Sequence, residues 1–444
     1  MDVVVIGAVA AGMSAASKAK RTEPEARVRV FGREDNVSYA ACGLPYYIGD
    51  VVQDQAQLIA RTQEEFARQG IEVNVGHEVK KILPKERQLL VLDASGEEQT
   101  VNYDKLVICT GARPVLPPIG NSDLANIFTV SSIPDSEAVR AAIEAGAKRA
   151  VIVGGGYIGL EMVEALRLKG LEVSVIERSE QIAGTIDPEM AKIVRDYLLA
   201  EGVDVQTGVA VEEFIGEETV RGVRTNQGTV PCDLAIIAVG VAPNSELARD
   251  AGIELGVRGA IRVNRRMETN LPDIYAAGDC AVAWHELYQD NTYIPLGTTA
   301  NKQGRIAGEN VVGGQAEFAG IVGTGIVKVM ELGIGRTGLS NREAETLGKE
   351  LLSVRVEVNN RAGYYPQAGK GTVKLLFDHE GKVWGAQMVG SDNFAKRIDV
   401  LAAAIQSGCS LQQLAGLDLS YSPPFSPVWD PVLVAANVAL GKLR

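Results

Sequence analysis

The 444-residue chain reads as an α/β protein with two Rossmann-like dinucleotide-binding units and a C-terminal α+β domain. Three observations predict this class. A β-branched run ending in a glycine loop opens the chain, and a second run ends in a full G-x-G-x-x-G beginning at Gly154. Beyond about Thr324, several strand-like segments precede one helix, the pattern of a separate α+β layer.

The first unit is "VVVIGAVAAGMSAASKAK", a strand that stops at Gly7, followed by a helix from about Ala11 to Lys20. A second strand, Arg27 to Phe31, completes β-turn-α-β, the unit that sets a helix N-terminus against a pyrophosphate. Gly7 and Gly12 take the first and last glycine positions, and Val9 takes the middle one. The second unit, "AVIVGGGYIGLEMVEALRLKGLEVSVIER", has Gly154, Gly156 and Gly159 at full spacing. Its second strand ends at Glu177, where an acid holds a ribose 2′-OH and favours NADH over NADPH. Arg178 beside it could instead meet a 2′-phosphate. Three further strands end in glycine turns: at Thr110-Gly111-Ala112-Arg113, at Gly240 to Asn244, and at Gly278-Asp279, whose aspartate can bond a polyol chain. In the C-terminal part, "IVKVMEL", "LSVRVEVN", "TVKLLFD" and "KVWGAQMVG" read as strands, with a helix from Ala395 to Gln406.

Bulk composition excludes several classes. A net charge of −12 argues against nucleic-acid binding, which needs clustered cations. The apolar runs are broken by glycines and too short for a membrane span, and no export signal is read, so a cytoplasmic protein is expected. The cysteines (Cys42, Cys109, Cys232, Cys280, Cys409) form no CxxC, and the three histidines are scattered, so no metal site is expected. Cys109, Cys232 and Cys409 read as small core residues. Cys42 differs. It lies in "NVSYAACGLPYYIGD", about ten residues past the first βαβ, and Pro45 in a helix's first turn would put the thiol near a helix N-terminus and lower its pKa.

The order of these motifs resembles the flavoprotein pyridine nucleotide-disulfide oxidoreductase family. The resemblance implies an FAD domain (1–113 and 241–320), an NAD(P)H domain inserted within it (114–240), and a dimerisation domain (321–444). By it, Gly7, Gly12 and Asp279 would bind FAD, and Gly154, Gly156, Gly159 and Glu177 would bind NAD(P)H, with Glu34, Thr110, Gly111, Arg113, Gly240 and Gly278 as further cofactor contacts. Gly32 stands where the family usually has the acid that holds the FAD ribose, with Glu34 or Asp35 as its substitute.

The disulfide reductases of this family pair two cysteines at C-x4-C and carry a C-terminal histidine. Here Tyr47 stands five positions after Cys42, and the tail "YSPPFSPVWDP" has no histidine. Single-cysteine peroxidases and many oxidases carry a histidine in the first glycine loop, where this chain has Ala10. "SYAACGLPYYIGD", "RAGYYPQA", "KRIDVL" and "LSYSPPFSP" instead resemble coenzyme A disulfide reductases and NAD(P)H-dependent persulfide and polysulfide reductases. That likeness implies a homodimer in which Cys42 forms a mixed disulfide with coenzyme A. Tyr364 and Tyr421 would reach the partner's cysteine and donate a proton to the leaving thiolate. Ser14, Lys18, Arg21, Ser38, Asn301, Lys396 and Arg397 would contact the substrate, the cations meeting its phosphates. Ala41 and Trp429 replace an asparagine and a basic residue of dedicated coenzyme A reductases. Two other readings stay open: an NADH oxidase or peroxidase working through a Cys42 sulfenate, and a redox-sensing flavoprotein without turnover.

Overall fold

A computed structural model describes residues 1–443. Five parallel strands form the first sheet, in the order 274–276, 105–108, 2–6, 27–31, 71–74. Its strands come from both sides of the second unit, so that unit is inserted into the first. The chain's opening strand is central because Val3, Val4 and Val5 are fully buried on both faces, as a parallel sheet requires. On this sheet lies helix Ala10–Thr22, which packs closely against helix Gly297–Asn310. The approach depends on Gly304 and Gly308: a Cβ at either would sit 2.3 Å and 2.2 Å from the carbonyl oxygens of Ala11 and Ala15.

The second sheet, also parallel, runs 204–207, 172–177, 149–153, 234–237, 127–128. A third sheet is antiparallel, in the order 325–329, 332–338, 383–390, 370–377, 352–359. Helices Ile398–Gln406 and Pro431–Leu443 bury Leu401, Ile405, Val432 and Ala436 against it. The expected helix 395–406 is thus two pieces, Asp392–Ala395 and Ile398–Gln406, with a break at Lys396 and Arg397. Strand Leu332–Gly338 was not expected. Among the described residues, no helix is long and apolar enough to cross a membrane, and no group of His, Cys, Asp or Glu could hold a metal ion.

The segment that carries Cys42 belongs by sequence to the first unit but packs elsewhere. Tyr39, Leu44, Tyr47, Ile48 and Leu58 join one core with Ile133, Val139, Leu160 and Met162 of the second unit. That core also reaches Val327, Val329 and Val389 of the third sheet. A buried ion pair ties the second unit to the third: Lys374 Nζ lies 2.6 Å from Asp187 and 2.5 Å from Glu189. Gln387 and the Asn341 amide also bond Asp187.

Lys374 and Asp187 are 1% and 2% exposed, so removing one partner strands a buried charge. Lys374→Met is expected to destabilise the protein by about 3–5 kcal/mol, read as a lower thermal midpoint, and adding Asp187→Asn should recover part of the loss. His285 is fully buried, stacks on Tyr288, and leaves Nε2 without a partner. Burial holds its pKa down to about 4. The unfolded chain therefore takes up the proton first, and stability falls as pH drops from about 6.5 towards 4. His285→Phe should flatten that acid limb in thermal scans between pH 7 and pH 4.

Candidate active site

A cavity of about 1040 Å³ opens along the carboxyl end of the first sheet and runs from the first glycine loop to Cys42. Gly7, Ser14, Arg21, Glu34, Ser38, Cys42, Thr110, Gly111, Asp279 and Asn301 all line it, far apart in sequence yet brought together. The loop is tight by necessity. Gly7 has φ +108°, and a Cβ there would sit 2.1 Å from the Cys109 carbonyl oxygen; one at Gly12 would sit 1.9 Å from the Gly7 oxygen. The second unit repeats the geometry, with Gly154 at φ +108° and Gly159 packed on the Gly154 carbonyl. Both loops deliver a helix N-terminus, of Ala10–Thr22 and of Tyr157–Leu168, to the end of a sheet. Val9 does not disturb the first loop, because the close contacts fall at Gly7 and Gly12.

Other cofactor candidates have defined positions. Gly278 donates its amide to Gln303 at 2.9 Å and leads into Asp279. The Asp279 carboxyl lines the cavity, has no hydrogen-bond partner among the described residues, and is pushed above the usual carboxylate range by burial. An unpartnered carboxyl in a glycine-lined cavity beside a helix N-terminus fits a dinucleotide's polyol and pyrophosphate. Gly32 abuts Ala8, where a Cβ would approach to 2.6 Å. Glu34, two residues on, lines the cavity with its carboxylate held by the Tyr39 hydroxyl at 2.8 Å. Glu177 accepts from the amides of Gly155 (2.9 Å) and Ser179 (2.7 Å), which sets it beside the second loop. Arg113 and Gly240 sit at the crossover between the units. Arg113 bonds Pro243, Asn244 and Glu246, and Gly240 accepts from the Val115 amide.

The expected substrate contacts divide. Ser14 donates to Asn301 Oδ1 at 2.7 Å, and Arg21 stands on the cavity wall. Lys18 instead pairs with Glu309 at 2.9 Å. Lys396 pairs with Asp399, and Arg397 is spent inside its own domain. Arg397 bonds Asp430 at 2.8 Å and the carbonyls of Asn360, Asn393 and Phe425, pinning the loop that bears Tyr364 to the tail that bears Tyr421. Those two tyrosines are 79% and 47% exposed, and the neighbouring Tyr364 phenol raises the pKa of Tyr421. Phe425, Val428 and Trp429 in the same tail as Tyr421 are also exposed. Arg61, Lys80 and Arg305 also rim the cavity and escaped the sequence reading, because scattered cations carry no motif.

Cys42 is the exposed thiol of the five cysteines, all of them free. Its backbone is a 3₁₀ turn, Ala41–Gly43, that runs directly into helix Leu44–Ile48 with Pro45 in the first turn. The expected lowering of its pKa does not hold in this environment. Desolvation pushes the thiol up, and the carboxyls of Glu161 and Asp279 add to it. Glu161, on helix Tyr157–Leu168, is itself pushed up to about 7, by burial first and by Glu164 second. Glu164 is satisfied by Lys328 at 2.7 Å and the Met330 amide, whereas Glu161 has no hydrogen-bond partner among the described residues.

Known proteins share this architecture. Residues 1–304 match the family model of pyridine nucleotide-disulphide oxidoreductases, and residues 324–431 match that family's dimerisation domain. The "NADH oxidase" of Methanocaldococcus jannaschii is 36% identical, over 100% of this chain and 99% of its own. The "NAD(P)H sulfur oxidoreductase (CoA-dependent)" of Pyrococcus furiosus is 37% identical, over 98% of each. The solved NAD-dependent persulfide reductase from A. fulgidus superposes with a TM-score of 0.97 at 39% identity, covering 100% of this chain and 83% of that one.

Since Glu161 ionises near pH 7 and its charge opposes thiolate formation, Glu161→Gln should lower the apparent pKa of Cys42. Iodoacetamide labelling of Cys42 is expected to be several-fold faster in that variant at pH 8, with the two proteins converging below pH 6.

Proposed function

The chain belongs to the pyridine nucleotide-disulphide oxidoreductase family, and we propose that this FAD-dependent NAD(P)H oxidoreductase reduces coenzyme A disulfide, coenzyme A persulfide or polysulfide through Cys42. The observation that carries the reading is the exposed, unpaired Cys42 thiol at the mouth of the glycine-lined cavity. Tyr47 occupies the position where an internal disulfide partner would stand, so the second sulfur comes from the substrate. Cys109 also borders the cavity, but it is buried and its thiol is held well above the usual range. The names of the P. furiosus and A. fulgidus relatives support a sulfur acceptor.

In this reading Gly7, Gly12, Glu34, Thr110, Gly111, Gly278 and Asp279 hold FAD, and Gly154, Gly156, Gly159 and Glu177 hold NAD(P)H, with Gly240 and Arg113 at the crossover. FAD, when bound, accepts the hydride and passes the electron pair to sulfur. Cys42 supplies the sulfur: its thiolate attacks the substrate disulfide, one thiol leaves, and the Cys42 mixed disulfide is then reduced. One turnover consumes NAD(P)H, one proton and one disulfide, and releases NAD(P)⁺ and two thiols. Arg21, Arg61 and Arg305 offer cations for substrate phosphates, and Ser14, Ser38 and Asn301 line the path to the thiol. Tyr364 and Tyr421 donate to the leaving thiolate from the second subunit of a homodimer. Their exposure, shared with Phe425 and Trp429, favours a covering partner. Five free thiols are in keeping with a reducing cytoplasm.

A second reading, reduction of oxygen at a Cys42 sulfenate, is favoured by the name of the M. jannaschii relative. Ala10, where a histidine would manage peroxide protons, weighs against it.

Anaerobic stopped-flow of Cys42→Ser tests the proposal. Flavin reduction by NADH should persist while disulfide turnover falls by about three orders of magnitude or more. Surviving disulfide turnover would sink it, and oxygen uptake exceeding disulfide reduction in the unaltered enzyme would select the second reading.

A further inference from the structure

Tyr47 stands where a second cysteine would complete C-x4-C, and the structure gives it a different task. Its ring is buried, its hydroxyl donates to Glu137 Oε1, and the Arg140 guanidinium lies 4.5 Å above the ring. Arg140 also donates to the Tyr47 carbonyl at 2.6 Å and to Asp50 Oδ1 at 2.5 Å. Lys169 pairs with the other oxygen of Asp50. All three outside partners belong to the second unit: Glu137 and Arg140 ride helix Ile133–Glu144, and Lys169 ends helix Tyr157–Leu168.

Two facts separate this arrangement from ordinary surface pairing. Asp50 adopts φ +58°, a left-handed conformation that aspartate tolerates better than most residues and that two cations on its carboxylate hold in place. The chain from Cys42 to Asp50 is a 3₁₀ turn fused to a helix, with no loop to absorb a displacement. An ion pair on a carboxylate with 43% of its side chain exposed adds little to stability. Its consequence is geometric: it fixes the far end of a short rod whose near end is the thiol.

We propose that Glu137, Arg140 and Lys169, gripping Tyr47 and Asp50, are positioning residues that lock the Cys42 thiol to the nucleotide-binding unit, so that thiol and hydride donor move as one body. The proposal rests on reading Cys42 as the exchanging thiol. It extends that reading by assigning the C-x4-C position to anchorage.

The test uses the FAD-loaded dimer with Arg140→Met, Arg140→Lys and Asp50→Asn. Both Arg140→Met and Asp50→Asn should keep their thermal midpoint within a few degrees and reduce flavin with NADH at close to the normal rate. Cys42 labelling by iodoacetamide should change several-fold. With disulfide, kcat should fall about ten-fold, given that misplacement near 1 Å can cost about 100-fold, while KM for NADH stays unchanged. Arg140→Lys, which keeps the charge but not the fork, should recover part of the loss. Labelling and kcat both within two-fold of the parent in Asp50→Asn would overturn the proposal, and that variant decides the matter if Arg140→Met fails to fold. Cys42→Ser that retained disulfide turnover would instead overturn the catalytic reading, leaving the labelling result to report on the clamp alone.

Discussion

Burial of the Cys42 segment in the core of the second unit is the constraint on which the site depends. Tyr39, Leu44, Tyr47, Ile48 and Leu58 are each 6% exposed or less, and they pack with Ile133, Val139, Leu160 and Met162. Fully burying side chains of this kind contributes about 1.5–3 kcal/mol each, an upper figure because the unfolded chain already buries some of that area. The thiol cannot leave the cavity without exposing this cluster. The first unit contributes the glycine loop and Asp279, while the second fixes the height of Cys42 above them. The third sheet locks onto the second unit through Lys374 and Asp187. The core that holds the Cys42 segment therefore draws on the second and third units as well.

Electrostatics at that sulfur are unusual for a nucleophile. Desolvation disfavours the thiolate, and Glu161 and Asp279 add negative charge nearby. These surroundings work against the thiolate, so groups outside the protomer must favour it for attack. In the proposed dimer those groups are the phenols of Tyr364 and Tyr421 and the flavin itself. The neighbouring carboxyl with a pKa near 7 makes the thiol's reactivity sensitive to pH in the physiological range.

Much of this was legible in the sequence. Both β-turn-α-β units, the glycine turns at Thr110, Gly240 and Gly278, and the strand at Leu352–Asn359 follow from local pattern, since glycine spacing and apolar period report local geometry. Strand Leu332–Gly338 escaped because Gly333, Gly335 and Gly338 erase its alternation; a Cβ at Gly338 would lie 2.2 Å from the Trp384 oxygen. The helix break at Lys396 and Arg397 escaped for the opposite reason, since nothing local marks it and the cause is Arg397's bonding to Asp430 and Phe425. Glu161 carries no motif, and only tertiary packing brings it near Cys42. Lys18 is expected at the substrate, and local pattern gives no sign of Glu309 on the neighbouring helix. Pattern reads what one element does alone; these residues are defined by what packs against them.

The central claim is one active site built from two subunits, Cys42 from one and Tyr364 with Tyr421 from the other. Hybrid dimers test it most directly. Cys42→Ser protein and Tyr364→Phe/Tyr421→Phe protein, each inactive as a homodimer, would be unfolded together, refolded as mixed dimers and assayed for disulfide turnover with NADH. The account predicts recovered activity, because each hybrid pairs one intact cysteine with the other subunit's intact tyrosines. Hybrids that form but stay as inactive as both parents would place cysteine and tyrosines in the same subunit's site and contradict it.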